Sequence, residues 1–147
     1  MSPGNGSIAG QAASKLGACA GKTMALVSAR RVLLVEDDAI IGALYADLLE
    51  EIGHVVYAIE ATEADAVATA ARCKPDLMIV DVSLSEGSGV TAVEQILCGG
   101  FVPHVFVSGD ARSVLSIKPG AIVLQKPFRT AGLTRAIQRA LTEANHA

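Results

Sequence analysis

The 147-residue chain is poor in the features that mark several protein classes. It has no tryptophan, aromatic residues make up only 3%, and the net charge is −3. Neither a base-stacking platform nor a basic surface for nucleic acid is therefore expected. No apolar run approaches the roughly 18 residues that a membrane span needs. Three scattered cysteines, Cys19, Cys73 and Cys98, favour reduced thiols over a disulfide framework or a zinc site. These absences predict a cytoplasmic protein that binds neither nucleic acid nor membranes.

The chain divides into an atypical start and a regularly patterned remainder. Residues 1–29 are rich in Ala, Gly and Ser, and polar residues interrupt the apolar stretch over 8–20. This interruption argues against a signal peptide, whose apolar region is continuous. A P-loop-like stretch at 17–23 is one residue short of that motif and follows no strand. We expect a disordered or weakly structured extension over 1–29 and one folded domain over 30–147.

From Arg31 onward, short apolar runs alternate with stretches of helical periodicity. The runs predict five strands, at 32–36, 55–59, 77–80, 104–107 and 121–124. The periodic stretches predict helices at 39–52, 62–73, 89–97 and 130–142. Residues 112–117 are so few before Lys118-Pro119-Gly120 that the fourth helix is expected to be short or irregular. This alternation predicts an α/β fold, a flavodoxin-like (βα)5 doubly wound parallel sheet with strand order 2-1-3-4-5.

Charged residues stand where three of these strands end. Glu36 and Asp37 follow the first strand, Asp81 follows the third and Lys126 follows the fifth. With this strand order the crevice lies above strands 1 and 3, so the three carboxylates are expected to converge. Crowded carboxylates repel one another, and Mg²⁺, which prefers oxygen ligands, relieves the repulsion. Asp81 could also be a nucleophile that forms an aspartyl phosphate, with Lys126 contacting a phosphoryl oxygen.

Other candidate residues have structural explanations that compete with functional ones. Asp38 is better explained as the N-cap of the first helix than as a metal ligand. Ser108 precedes a glycine, where serine often only forms a turn, but its hydroxyl could donate to a phosphoryl oxygen. His54, His104 and His146 share no metal-ligand spacing, so we expect structural or surface roles for them.

Taken in order, these motifs resemble the receiver domain of two-component response regulators over about residues 31–144. The sequence LLVEDD at 33–38 resembles the acidic-pair strand of that family, and PDLMIVDVSL at 75–84 resembles its phosphoacceptor strand. Lys126-Pro127-Phe128 resembles its lysine–proline turn. The resemblance covers essentially the whole predicted domain.

The resemblance implies a role for each of these residues. Asp81 would accept a phosphoryl group in a Mg²⁺-dependent reaction without an organic cofactor. Three further groups would contact the metal, namely Asp37 directly, Glu36 through water and Ser83 through its backbone carbonyl. The side chains implied to hold the phosphoryl group are Ser108 and Lys126. Ser83 and Asp110 fall where the family tunes autodephosphorylation.

Two positions depart from the common pattern of the family. Ser85 stands where proline is usual, and Val123 stands where the fifth strand usually carries a switch aromatic. Together with FVSG at 106–109, these features resemble an alphaproteobacterial subset with a Phe-Ala-Thr-Gly-type motif. Because the aromatic is absent, we hypothesise that phosphorylation orders the segment 109–119 instead.

The expected function is signalling rather than enzyme catalysis, since no output domain is expected after the last helix. A histidine kinase would phosphorylate Asp81, and the chain would then dock on an unidentified protein target, relay the group to a histidine phosphotransferase, or act as a phosphate sink.

The main alternative is a pseudo-receiver that docks without phosphorylation, but no site residue is missing. A haloacid-dehalogenase-type phosphatase would need an aspartate in place of Ser83. A flavodoxin-like cofactor binder would want a glycine- or hydroxyl-rich loop after the first strand.

Overall fold

The computed structural model describes residues 29–145, which form a five-stranded parallel sheet flanked by helices. The strands are β1 (Arg31–Val35), β2 (Val55–Glu60), β3 (Leu77–Asp81), β4 (His104–Ser108) and β5 (Val123–Gln125). The helices are α1 (Ala39–Glu51), α2 (Glu63–Arg72), α3 (Gly89–Leu97), α4 (Ala111–Ile117) and α5 (Thr130–Asn145). The strand order is β2-β1-β3-β4-β5, which confirms the predicted doubly wound fold with a short fourth helix.

The strands form because their apolar side chains are buried on both faces of the sheet. Along β1, Val32 and Leu34 pack in a cluster with residues of α1 and α5. Leu33 and Val35 point the other way, into a cluster with residues of α2, α3 and α4. This alternation follows from the two-residue period of a strand. It leaves the polar residues at the carboxyl ends of β1, β3, β4 and β5 to define one edge of the domain.

Side-chain caps fix where the helices near this edge begin. Asp38 Oδ1 accepts hydrogen bonds from Ile40 N (2.9 Å) and Ile41 N (3.0 Å), which confirms Asp38 as the N-cap of α1. Ser88 caps α3, and Asp110 caps α4. Each cap satisfies backbone N–H groups that have no partner within the helix.

The structure also bears on the predictions for histidine and cysteine. His54 Nδ1 accepts a hydrogen bond from Arg30 N (3.1 Å), and His104 Nδ1 lies 2.7 Å from Val102 O, so both histidines have structural roles. The prediction of reduced thiols is wrong for Cys73, which is disulfide-bonded, whereas Cys98 is a free, exposed thiol. Wide spacing in sequence does not exclude proximity in the fold, so the sequence could not reveal this bond.

Part of the predicted organisation falls on residues that are not described. The extension expected over 1–29, with its P-loop-like stretch and Cys19, lies outside the described residues except for residue 29, and so does His146. Among residues 29–145, no helix is long and apolar enough to cross a membrane.

Candidate functional site

Asp81 lies at the carboxyl end of the central strand β3 and is only 4% exposed. Its Oδ1 accepts a hydrogen bond from Ser83 N at 2.8 Å. Its Oδ2 forms an ion pair with Lys126 Nζ at 2.6 Å. Both carboxylate oxygens are therefore engaged, and the side chain is held in one orientation at the end of the strand.

Glu36 follows β1 and is also 4% exposed. Its Oε2 accepts a hydrogen bond from Asp38 N at 3.1 Å, whereas its buried Oε1 has no hydrogen-bond partner in the described part of the chain. Burial, helped by the nearby Asp81 carboxylate and opposed by the bond from Asp38 N, raises the pKa of Glu36 to about 7. A buried carboxylate oxygen without a donor is satisfied by a proton, a cation or a cation-bound water.

Asp37 connects the loop after β1 to the loop after β3. Its Oδ2 accepts a hydrogen bond from Ser85 N at 2.7 Å. This bond lowers the pKa of Asp37 below its ordinary value, so the side chain is ionised at neutral pH. The pKa values of the two carboxyls are shifted in opposite directions. Asp37 is more open and accepts the hydrogen bond from Ser85 N, whereas Glu36 is buried.

The arrangement of oxygens fits a cation that keeps part of its water shell. Within residues 29–145, no three His, Cys, Asp or Glu side chains are arranged to hold a metal ion by themselves. The predicted set needs only two direct carboxylates, Asp37 and Asp81, since Ser83 would contribute a backbone carbonyl and Glu36 would act through water. Mg²⁺ commonly keeps several waters and binds through one or two carboxylates. The unpartnered Glu36 Oε1 is the observation that supports this fit.

Lys126 brings a positive charge to the carboxylates. Burial by itself would lower the pKa of the Lys126 ammonium, but its hydrogen bond and ion pair with Asp81 outweigh burial, so the pKa is raised. Lys126 N also donates to Ser108 O at 2.8 Å, and the Lys126–Pro127 peptide bond is cis. The ammonium group therefore stays charged and lies against the Asp81 carboxylate.

Ser108 ends β4, which lies between β3, the strand that ends in Asp81, and β5, the strand that Lys126 follows. It is 5% exposed, and its Oγ accepts a hydrogen bond from Asp110 N at 2.9 Å. An accepting hydroxyl still has its own proton to donate. Ser108 thus lies at the same sheet edge, with a hydroxyl that can donate its proton, next to the N-cap of α4.

Two residues at this edge were missed by sequence reasoning. Gln125 Nε2 donates to Gly109 O at 2.6 Å, and Gln125 Oε1 accepts from Ala111 N at 2.8 Å. Glu63, the first residue of α2, accepts from Ser88 N at 2.9 Å in the loop after β3. Both act through tertiary contacts. The only sequence signal was for Gln125, which directly precedes Lys126 at a strand end.

The domain matches a known family along most of its length. The response regulator receiver domain family matches residues 32–138. The chain belongs to this family. The phyllosphere-induced regulator PhyR of Methylorubrum extorquens is 32% identical over 126 residues, which are 83% of this chain and 47% of PhyR. The transcriptional regulatory protein PdtaR of Mycobacterium tuberculosis is 32% identical over 77% of this chain and 57% of its own length. The chain therefore spans about half the length of these two curated relatives.

Solved structures of receiver domains have the same architecture. The PhyR receiver domain of Erythrobacter litoralis superposes with a TM-score of 0.71 at 30% identity, covering 78% of this chain and 91% of that one. The anti-anti-sigma factor PhyR of Bartonella quintana gives a TM-score of 0.73 at 27% identity, covering 80% of this chain and 49% of that one. The chain is thus a response-regulator receiver domain similar to PhyR receiver domains in sequence and fold.

Proposed function

We propose that this receiver domain accepts a phosphoryl group on Asp81 in a Mg²⁺-dependent reaction and signals through protein–protein contacts or phosphorelay. The observation that carries the proposal is the state of the Asp81 carboxylate. It is buried at the end of β3, paired with Lys126, and next to Glu36 with its unpartnered oxygen. Ser108 supplies a hydroxyl at the same edge.

The residues divide the work of phosphoryl transfer among them. Asp37, Asp81 and the Ser83 carbonyl would hold Mg²⁺ directly, with Glu36 acting through water, and the ion would offset the negative charge of the phosphoryl oxygens. An Asp81 oxygen attacks the phosphorus of a phosphohistidine donor. The P–N bond breaks, and the imidazole nitrogen leaves with the electron pair. Lys126 and Ser108 then contact phosphoryl oxygens, as a charge and as a hydroxyl donor.

The same residues define the limits of the chemistry. The chain would catalyse only its own phosphorylation and the hydrolysis of its aspartyl phosphate, and it would turn over no other substrate. Ser83 and Asp110 are proposed to tune that hydrolysis, since they flank Asp81 and Ser108 in their loops. Val123 in β5 and FVSG at 106–109 support assignment to the subset with a Phe-Ala-Thr-Gly-type motif.

The proposed partners are proteins. A histidine kinase, a histidine phosphotransferase or both would exchange the phosphoryl group, and an unidentified protein target would read it. Among the relatives, PhyR of Bartonella quintana is an anti-anti-sigma factor, and this supports a protein target for this chain. No nucleic acid or membrane partner is proposed, the location is proposed to be cytoplasmic, and the receiver domain is proposed to extend over 30–147.

The test is the intact mass of the protein after incubation with acetyl phosphate, with Mg²⁺ or with a chelator. We expect a gain of one phosphoryl group with Mg²⁺ and none with the chelator. The substitution Lys126→Ala should slow the gain because the transferred group loses its charged contact. If the wild-type protein binds Mg²⁺ but gains no mass, the proposal is wrong, and the phosphorylation-independent docking module is the better account.

A further inference from the structure

The loop after β3, residues 82–88, is attached to the site at its near end. Ser83 N donates to Asp81 Oδ1 at 2.8 Å, and Ser85 N donates to Asp37 Oδ2 at 2.7 Å. Ser83 also pairs with Ser88 as an isolated antiparallel bridge, which folds the loop back on itself. The position of the Ser83 carbonyl and the Ser85 N–H therefore depends on where Ser88 is held.

Glu63 holds the far end of this loop from a neighbouring helix. Its backbone N donates to Glu86 O at 3.1 Å, and its Oε1 accepts from Ser88 N at 2.9 Å. Its Oε2 accepts from Gln95 Nε2 at 2.6 Å, which joins the same carboxylate to α3. Glu63 thus contacts the loop on both sides of Gly87, and its carboxylate is also held by α3.

Gly87 shows that the contact with Glu63 is close. Its φ of +92° lies in the left-handed region that favours glycine. A Cβ at this position would lie 2.4 Å from Glu63 Cβ, far inside van der Waals contact. The loop therefore reaches Glu63 only because residue 87 has no side chain.

Helix capping does not account for Glu63. Thr62 is the N-cap of α2, and its hydroxyl accepts from Asp65 N at 3.1 Å. An acidic residue in the first turn interacts favourably with the helix dipole wherever its side chain points. The Glu63 carboxylate is instead directed to Ser88 and Gln95, outside its own helix.

We infer that Glu63 is a positioning residue for the Mg²⁺ and phosphoryl site, acting through Ser88 and the loop that presents Ser83 and Ser85. The inference rests on the proposed function, because it needs the Ser83 carbonyl to be a metal contact. Groups that orient metal ligands typically change metal affinity by about tenfold or more when they are removed. The Glu63 carboxylate fits that role without touching the reacting atoms.

The test measures the dissociation constant of Mg²⁺ alone, together with thermal stability and amide exchange over 82–88. Glu63→Ala should weaken Mg²⁺ binding by about tenfold and speed exchange of the Ser85 and Ser88 amides. Glu63→Gln keeps an oxygen that can accept from Ser88 N, so it should restore the affinity to within about twofold. Glu51→Ala removes an exposed carboxylate from the end of α1 and is the matched control, with wild-type affinity.

The outcomes separate this inference from the proposed function. Equal Mg²⁺ dissociation constants for wild type and E63A would overturn the role of Glu63. The role would also be overturned if E51A weakened Mg²⁺ binding as much as E63A does. If E63A does not fold, Gln95→Ala carries the test, since it releases only Oε2 and should weaken Mg²⁺ binding by about threefold to fivefold, less than loss of the whole carboxylate. A wild-type protein that binds Mg²⁺ but takes no phosphoryl group from acetyl phosphate would refute the proposed function and leave the positioning result standing.

Discussion

Burying the Glu36 carboxylate at the site reduces the stability of the metal-free fold. It is buried to 4% exposure, and its pKa is raised from 4.5 to about 7 because burial disfavours the charged form. Between these two pH values the folded metal-free protein keeps a proton that the unfolded chain has released. The contribution of Glu36 to stability therefore falls as the pH rises from 4.5 to about 7, and it levels off above that.

Glu36→Gln should therefore stabilise the metal-free protein. The amide carries no charge to bury, so the free energy of unfolding at about pH 8 should rise by up to about 3 kcal/mol, with no gain below about pH 4. Urea unfolding of both proteins with a chelator, at several pH values, measures this difference. A parallel pH dependence for wild type and E36Q would show that Glu36 is not the group responsible.

The same residue predicts how Mg²⁺ binding depends on pH. In the proposed site Glu36 acts through a metal-bound water and must lose its proton to do so. The affinity for Mg²⁺ should therefore increase with pH up to about 7 and then level off. Titration of the wild-type protein with Mg²⁺ across this range tests the expectation. An affinity that is constant between about pH 5 and 8 would contradict it.

At the scale of elements, Gln125 joins β5 to the start of α4. Its amide contacts Gly109 O and Ala111 N, so it holds the turn that follows Ser108. The segment 109–119 includes the helix α4, and the hypothesis that phosphorylation orders this segment stays a prediction.

We therefore predict that Gln125→Ala loosens the start of α4. Amide exchange of Ala111 should be faster in Q125A, while the protein still takes up a phosphoryl group because Gln125 does not contact Asp81. Gln138→Ala, an exposed change on α5, is the control. Unchanged exchange of the Ala111 amide in Q125A would show that α4 is held by other contacts.

Gly89 allows α3 to pack close to β3. A Cβ at this position would lie 2.1 Å from Asp81 O and 2.8 Å from Val80 Cγ1. Gly89→Ala should therefore destabilise the fold by about 2 kcal/mol, since helix and strand must separate. Gly120→Ala, where the new Cβ meets nothing within 4 Å, should be close to neutral in the same denaturation experiment. Equal effects for the two substitutions would contradict this packing argument.

The elements also show which parts of the fold the sequence could predict. β1, β3 and β4 are continuous buried apolar runs, so their positions were clear from composition alone. The last strand was predicted at 121–124 but lies at Val123–Gln125. Its limits depend on its pairing with β4, and the first paired residue of β5 is Val123. Glu63 and Gln125 were not predicted for the same reason, since their partners are distant in sequence.

At the scale of the whole molecule, the two apolar layers on either side of the sheet make the domain one cooperative unit. Residues 30–147 expressed alone should unfold in a single transition and take up a phosphoryl group as the full chain does. The comparison should be made under reducing conditions for both proteins, because Cys73 is disulfide-bonded. A fragment that does not fold under these conditions would show that residues 1–29 belong to the domain.

The identity of the modified residue shows whether Asp81 is the phosphoacceptor. Borohydride reduces an aspartyl phosphate to homoserine, which peptide mapping after acetyl phosphate and Mg²⁺ treatment can locate. We predict homoserine at position 81, and none in the Asp81→Asn protein. A phosphoryl group found on Asp37, on Ser83 or on a residue outside this edge of the sheet would show that Asp81 is not the phosphoacceptor.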